Sequence, residues 1–166
     1  LQTIDEYSFM GSSIDYIKIP SHVKRIGEGA FQYCYKLYKI ELLNDSELQT
    51  IEEDAFRESA LESLTIPSKV TELKEGWCCF TKYLNKIDVD PSNPRYHCYE
   101  NKMILGKSTI ESSQYVNLNF CVRNIETITI PNYIEHINSH AFNQCKKLQH
   151  IEFENDSKLQ TIDEYS

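Results

Sequence analysis

Two patterns of apolar residues alternate along the chain. The first reads apolar-x-x-apolar-x-apolar, and it occurs at Ile14/Ile17/Ile19, Leu37/Ile40/Leu42, Leu61/Leu64/Ile66, Leu84/Ile87/Val89, Ile125/Ile128/Ile130 and Leu148/Ile151/Phe153. Its last two apolar residues are two apart, so they lie on one side of a β-strand and the residue between them faces the other way. The second pattern reads apolar-x-x-apolar and ends in Ala-Phe, as at Val23/Ile26/Ala30-Phe31, Leu48/Ile51/Ala55-Phe56 and Ile134/Ile137/Ala141-Phe142. We expect Ala to let neighbouring segments approach while Phe fills the interior.

The spacing of these patterns predicts a solenoid. The opening residues of the first pattern are 23, 24, 23, 41 and 23 positions apart, and the octapeptide of residues 1–8 recurs unchanged at 159–166. A unit of this length cannot bury its own apolar side, so it stacks on its neighbours. Three of the strands are followed directly by a proline, at Pro20, Pro67 and Pro131. Proline has no backbone N–H, so it ends the hydrogen bonding of a strand at little energetic cost. We therefore predict one array of about seven coils over residues 1–166.

One interval of 41 residues interrupts the rhythm. Residues 91–124 contain Pro91 and Pro94, the apolar segment 103–106, and the alternating run Val116/Leu118/Phe120/Val122. Alternation of this kind predicts strands and not a linker. We interpret the segment as an irregular coil that carries a strand pair.

Residues 17–34, which read IKIPSHVKRIGEGAFQYC, resemble the BspA-like leucine-rich repeat of the Treponema pallidum type. The same order of strand, Ile-Pro, Ile-x-x-Ile, Ala-Phe and Cys recurs from Ile128 to Ile151, and the likeness extends over nearly the whole chain. Such proteins are numerous in parasitic protists such as trichomonads. The resemblance implies a β-rich solenoid: a right-handed superhelix with a concave parallel sheet and short strands and turns on the convex side. It also implies a surface or secreted protein with a role in adhesion. The sequence departs from the pattern at Ser8-Phe9 and at Trp77-Cys78-Cys79.

The residues between the buried strand positions are the candidates for a concave binding face. They are Tyr16, Lys18, Lys39, Glu41, Ser63, Thr65, Lys86, Asp88, Thr127, Thr129, His150 and Glu152. Substitution on such a face costs the fold little, so a binding function can be placed there. The polar mixture suits a protein or glycan ligand better than an apolar one, and a solvated ladder without function is the alternative.

Composition narrows the function classes. The chain has 17 basic and 25 acidic residues, for a net charge of −8. Phosphate affinity needs clustered Lys and Arg, so a nucleic-acid partner is not expected. The apolar runs are far shorter than the roughly 18 residues of a membrane span. Within the classes that remain, the resemblance to BspA-like repeats implies a cell-surface or extracellular adhesion module, and a cytoplasmic interaction scaffold of the same fold is the alternative.

The sequence contains no complete motif for catalysis, cofactor binding or metal binding. His136 and His140 have a metal-pair spacing, but that spacing needs a helix face and Ile137 between them belongs to a strand. The segment 88–93 lacks the glycine and the closing glutamate of a calcium loop. Gly27-Glu28-Gly29 is not followed by the residues of a phosphate loop. We therefore expect a non-enzymatic protein without cofactors.

The six cysteines do not predict a framework of disulfides. Cys34 and Cys145 hold the same repeat position several coils apart, beyond the roughly 7 Å Cα separation of a disulfide, and are expected to be small buried thiols. Cys98 and Cys121 share the irregular coil, which leaves a bridge between them open. Adjacent Cys78 and Cys79 lack the spacing of a zinc site.

Two further features concern processing and assembly. Asn44 and Asn155 each begin an Asn-Asp-Ser sequon after a strand, so both are candidate glycosylation sites, although Asn, Asp and Ser also favour ordinary turns. No polar cap is recognisable at either end of the array. This predicts either a segment of a longer array or end-to-end self-association.

Overall fold

The computed structural model describes residues 2–166, which form a β-solenoid of about seven turns and contain no helix. Its fifteen strands are β1 Thr3–Ile4, β2 Tyr16–Ile19, β3 Arg25–Ile26, β4 Lys39–Leu42, β5 Thr50–Ile51, β6 Ser63–Ile66, β7 Glu72–Leu73, β8 Lys86–Val89, β9 Tyr96–Tyr99, β10 Met103–Lys107, β11 Tyr115–Cys121, β12 Thr127–Ile130, β13 His136–Ile137, β14 His150–Phe153 and β15 Thr161–Ile162. The two alternating apolar patterns account for all of them except those of the irregular coil.

Each pattern builds its own parallel ladder. The first pattern forms the sheet β2-β4-β6-β8 and the pair β12-β14, which together we call the concave face. The second forms the two-residue strands of the sheet β1-β3-β5-β7. Equivalent residues pair in register, as in Ile17 with Ile40 and Ile26 with Ile51. The predicted solenoid of stacked parallel strands is thus confirmed.

A column of aromatic rings runs through the core. Phe31 is fully buried and stacks on Phe9 and Phe56, with ring centroids 5.1 and 5.6 Å away. The column continues from Phe56 to Trp77 at 6.2 Å and from Trp77 to Phe120 at 5.9 Å. The departure from Ala-Phe at Trp77 therefore does not break the column.

The glycine of the Ile-Gly motif is required by the distance between coils. A Cβ atom on Gly27 would lie 2.8 Å from the backbone of Asp5 and Glu6 in the preceding coil. The Gly27 N–H donates to the Ile4 carbonyl at 2.8 Å. A side chain at this position would push the two coils apart.

The irregular coil forms an antiparallel meander. Strands β10 and β11 are the expected pair, and β9 is an additional strand paired with β10. Strand β11 then pairs in parallel with β13 and so rejoins the solenoid. The meander separates β12-β14 from the four-stranded sheet of the concave face.

Asn93 anchors the meander to the coil before it. Its buried side-chain amide donates to the carbonyls of Pro67 at 2.7 Å and Val70 at 2.9 Å. Its carbonyl oxygen accepts from the backbone N–H groups of Arg95 and Tyr96. One side chain thus satisfies four backbone groups at the point where the regular repeat ends.

The ladder of the concave face is open between β4 and β6. These strands pair only at Lys39 and Ser63, whereas β2 with β4, and β6 with β8, each pair at four positions. The turn after β4 is longer, because six positions separate Leu42 from Leu48 and four separate Ile19 from Val23. The two strands therefore diverge after their first residues.

Candidate functional site

All twelve residues of the candidate binding face lie on strands of the concave face. Ten are exposed, and Glu41 and Ser63 are partly buried. The set divides in two: the members from residue 16 to 88 share the four-stranded sheet, whereas Thr127, Thr129, His150 and Glu152 lie on the separate pair β12-β14. Their orientation follows from the strand period, since Ile87 and Val89 are buried on either side of exposed Asp88.

The opening between β4 and β6 forms a cleft of about 270 Å³. Six of the candidate residues line it, and the floor is apolar. The lining residues are Lys39, Ile40, Glu41, Leu42, Ser63, Leu64, Thr65, Lys86 and Asp88. We call this the β4–β6 cleft.

Charges of both signs border the β4–β6 cleft. Glu41 accepts a hydrogen bond from the Tyr16 hydroxyl at 2.7 Å and forms an ion pair with Lys18 at 2.9 Å. The hydrogen bond from Tyr16, then the contact with Lys18, lower the pKa of the Glu41 carboxyl. Lys39 and Lys86 have no carboxylate within 4.0 Å in the described chain, where the paired lysines are 18, 69, 74 and 102. These two ammonium groups are available to a ligand.

Aromatic side chains extend this surface beyond the residues that were predicted. A cavity of about 320 Å³ is lined by Tyr35, Phe80 and Tyr83 together with polar side chains that include Glu58 and Lys82. Tyr83 also lines a second cavity of about 370 Å³, which it shares with Ser63 and Lys86 of the β4–β6 cleft. The signal in the sequence is a tyrosine shortly before the opening leucine of a strand pattern, two residues before Leu37 at Tyr35 and one residue before Leu84 at Tyr83.

The two histidines with metal-pair spacing have separate surroundings. His136 hydrogen-bonds through Nδ1 to Thr161 at 2.9 Å, whereas the His140 ring packs on Tyr165 with centroids 5.4 Å apart. Residues 2–166 contain no group of three or more His, Cys, Asp or Glu side chains placed to hold a metal ion. Within the same range, no helix is long and apolar enough to cross a bilayer.

The structure rules out the bridge that the sequence left open between Cys98 and Cys121. Cys98 pairs with Ile104 of β10, and Ile104 pairs on its other side with Phe120, next to Cys121. The two cysteines are thus two strands apart, or roughly 9–10 Å, which exceeds the reach of a disulfide. All six cysteines are free thiols. Cys34 is buried as expected, but Cys145 is only partly buried.

Both sequons lie in the longer turns that follow β4 and β14. Asn44 and Asn155 are exposed, whereas the Ser46 hydroxyl is buried and accepts a hydrogen bond from the Leu48 N–H. Ser157 accepts the equivalent bond from Leu159. The serine of each sequon therefore has a role in the turn, whatever is attached to the asparagine.

The last coil leaves apolar side chains uncovered. Ile151, Phe153 and Ile162 are 42%, 43% and 60% exposed, whereas the equivalent residues of earlier coils are largely buried. Strands β14 and β15 each pair on one side only. We call this surface the β14–β15 end.

A family model for the BspA-type leucine-rich repeat region matches residues 2–116 and 108–166, with six copies. The chain belongs to the BspA-type leucine-rich repeat family. The resemblance carried by residues 17–34 is thus confirmed over almost the whole chain. A search of curated proteins gave no significant match.

Solved structures of leucine-rich repeat proteins share the architecture of this BspA-type chain. The pneumococcal vaccine antigen PcpA is 25% identical with a TM-score of 0.87, and the match covers 98% of this chain and 38% of that one. A leucine-rich cell-surface protein from Faecalibacterium prausnitzii is 27% identical with a TM-score of 0.73, covering 95% and 44%. A leucine-rich repeat protein from Eubacterium ventriosum, at 20% identity and a TM-score of 0.75, shares the fold, covering 97% and 47%. The BspA-type chain therefore spans less than half the length of each of these proteins.

Proposed function

We propose that this BspA-type array is a non-enzymatic binding module of a cell-surface or secreted adhesion protein, and that it holds a protein or glycan ligand on its concave face. The observation that carries the proposal is the β4–β6 cleft, where the parallel ladder opens and which is lined by Lys39 and Lys86, two lysines without a carboxylate partner among the described residues. PcpA, a vaccine antigen, and the cell-surface protein of F. prausnitzii lend support by their likeness to the chain.

The chemistry of the β4–β6 cleft suits a polar, extended ligand. The free ammonium groups of Lys39 and Lys86 lie in one row across the strands, on either side of Ser63, and Asp88 lies beside Thr65 in the neighbouring row. A segment with both acidic and hydrogen-bonding groups would meet complementary partners on both rows. Tyr83 and Phe80 in the adjoining cavities add flat apolar surfaces of the kind that stack against sugar rings or side chains.

The binding test uses purified matrix proteins and arrayed glycans as probes. We expect Lys39→Ala/Lys86→Ala to weaken binding of the recognised probe by tenfold or more, because two charge-assisted contacts are lost. The matched control is Lys146→Ala/Lys147→Ala, which removes the same charge from two exposed lysines that lie outside the concave strands and have no carboxylate within 4.0 Å in the described residues. If the cleft variant and the control variant bind the probe equally well, the placement of the ligand is contradicted. If the wild-type protein binds none of the glycan or protein probes, the adhesion function is contradicted.

Export separates this proposal from an intracellular scaffold of the same fold. If the native protein is exported through a glycosylating pathway, Asn44 and Asn155 are the exposed acceptors. Surface labelling of intact cells with an impermeant amine reagent tests export directly, since Lys39 and Lys86 are exposed. Labelling only after lysis would favour the scaffold.

A further inference from the structure

Arg123 is a buried cation with no carboxylate partner in the described chain. Its residue is 3% exposed, and its Nη1 donates to the carbonyls of Cys121 and Ala141, each at 3.1 Å. Its Cζ lies 4.4 Å from the centroid of the Phe120 ring, and its Nε has no hydrogen-bond partner. An uncompensated buried charge is costly, so an anion is expected close to this guanidinium.

The remaining neighbours of Arg123 are cysteine sulfur atoms. Nη2 lies 3.7 Å from the Cys78 Sγ, and Nη1 lies 4.0 Å from the Cys145 Sγ. The Cys145 thiol points at the backbone of the Cys121 coil, where it donates to the carbonyl oxygens of Val122 at 3.5 Å and Cys121 at 3.9 Å, so the side chains of Cys121 and Cys145 are neighbours in adjacent coils. Three thiols therefore surround one cation.

A change in the repeat creates this cluster. In regular coils the N–H of the second residue of Ala-Phe bonds to the first residue of the next pair, as Phe31 does to Ala55. The Phe56 N–H bonds to the Trp77 carbonyl, so Trp77 holds the Ala position of its coil and Cys78 holds the Phe position. The Cys121 N–H bonds to the Ala141 carbonyl, so Cys121 also holds the Phe position. The bulky Trp77 and Phe120 take the Ala position and fill the aromatic column. The two small cysteines leave room for the guanidinium.

Of the three thiols, Cys145 is best placed to be the anion. Cys78 is fully buried, and burial raises the pKa of its thiol to about 12. The hydrogen bond with Cys121, then the positive charge of Arg123, lower the pKa of Cys145 to about 7, and the same hydrogen bond raises the pKa of Cys121. Cys145 is also the one member of the cluster that is partly exposed to solvent.

We propose that Cys145 and Cys121 are a redox-active thiol pair, in which the Cys145 thiolate beside Arg123 is the nucleophile and Cys121 closes a disulfide with it. The reacting ligand class is a small-molecule disulfide. The site is independent of the concave face, since none of its members lines the β4–β6 cleft.

The exchange proceeds in two balanced steps. The Cys145 thiolate attacks one sulfur of the small disulfide, the S–S bond breaks, and one small thiolate leaves with the electron pair. Cys121 then passes its proton to that thiolate, and its sulfur attacks the Cys145 sulfur of the mixed disulfide and expels the second small thiolate. The protein loses two electrons as its S–S bond forms, and the small disulfide gains them.

The first test compares alkylation rates by mass spectrometry, with iodoacetamide on the full chain. We expect Cys145 to react about tenfold or more faster at pH 7 than Cys98, which is also partly buried but whose pKa is raised by burial. The rate should have its midpoint near pH 7 in wild type, and Arg123→Gln should move it upward. Arg57→Gln is the charge-matched control, because Arg57 is paired with Asp54 and touches Cys79 instead. Arg123→Lys keeps the charge and should keep the midpoint low if Arg123→Gln does not fold.

The second test adds oxidised glutathione and maps peptides without reduction. We expect a Cys121–Cys145 bridge in wild type, and a glutathione adduct trapped on Cys145 in Cys121→Ser. A bridge from Cys145 to Cys78 would overturn the role of Cys121. Alkylation of Cys145 no faster than that of Cys98, or no bridge under oxidation, would overturn the proposal.

Discussion

Phe31→Ala tests the aromatic column on which the stacking of coils depends. The Phe31 ring is fully buried and lies nearly parallel to Phe9, at 4°, and to Phe56, at 19°. Truncation removes both contacts and leaves a cavity, which typically costs about 3–5 kcal/mol. Because single domains are stable by only about 5–15 kcal/mol, this is a large share of the total. For a chain of this size we expect the melting temperature to fall by about 6–20 °C.

Urea unfolding followed by fluorescence is a suitable assay, because the chain has one tryptophan and it belongs to the same column. Tyr35→Ala is the control: its side chain is 66% exposed, so the change in unfolding free energy should stay within about 0.5 kcal/mol. The column would not be a main source of stability if Phe31→Ala lowered the unfolding free energy by less than about 1 kcal/mol. The same conclusion would follow if Tyr35→Ala lowered it as much as Phe31→Ala. Coincident transitions by fluorescence and circular dichroism would establish that one unfolding free energy describes the array.

Three further predictions concern the meander, the concave face and the long turns. Asn93→Ala should lower the unfolding free energy by about 2–4 kcal/mol, since four backbone groups lose their partner; urea titration measures it, and a loss below 0.5 kcal/mol would contradict the anchoring role. Glu41 should titrate below the ordinary glutamate pKa by NMR, and Tyr16→Phe should raise that value. Because the folded pKa is lowered, the stabilisation from Glu41 is present above the unfolded pKa and is lost as the pH falls through the folded one; an unchanged pKa in Tyr16→Phe would show that the hydroxyl is not the cause. Native protein should lose mass in Asn44→Gln and Asn155→Gln if the sequons are used, and unmodified native protein would end the glycosylation hypothesis.

The regular coils could be predicted from the sequence because one physical constraint acts on many positions at once. Ile17, Ile40 and Ile128 must face the core, so period-two burial and a fixed coil length recur together. The resemblance to BspA-type repeats rests on those same positions. The strand pair of the irregular coil followed from alternation alone, whereas β9 did not, since its sequence YHCY does not alternate.

The details of the candidate site were beyond the sequence for a different reason. The outward positions could be assigned from the strand period, but the opening of the ladder after Ser63 depends on the separation of β4 and β6 in the stack, which the strand period does not encode. The thiol cluster depends on which residue of a pair points inward. Trp77-Cys78 is visible in the sequence as a departure from Ala-Phe, but Phe120-Cys121 lies within an alternating run, and its place in the repeat is seen only when the coils are stacked. The sequence left a bridge between Cys98 and Cys121 open, and the structure excludes it because β10 lies between them.

The missing backbone pairing between β4 and β6 after Lys39 and Ser63 also affects how the array bends. A stack of coils bends most easily where the fewest backbone pairings join two neighbours. Strands β4 and β6 share one paired position, whereas β2 with β4 and β6 with β8 share four each. Bending under an applied force should therefore concentrate between β4 and β6. A ligand seated in that gap would act as a wedge, so that occupancy and curvature of the superhelix change together.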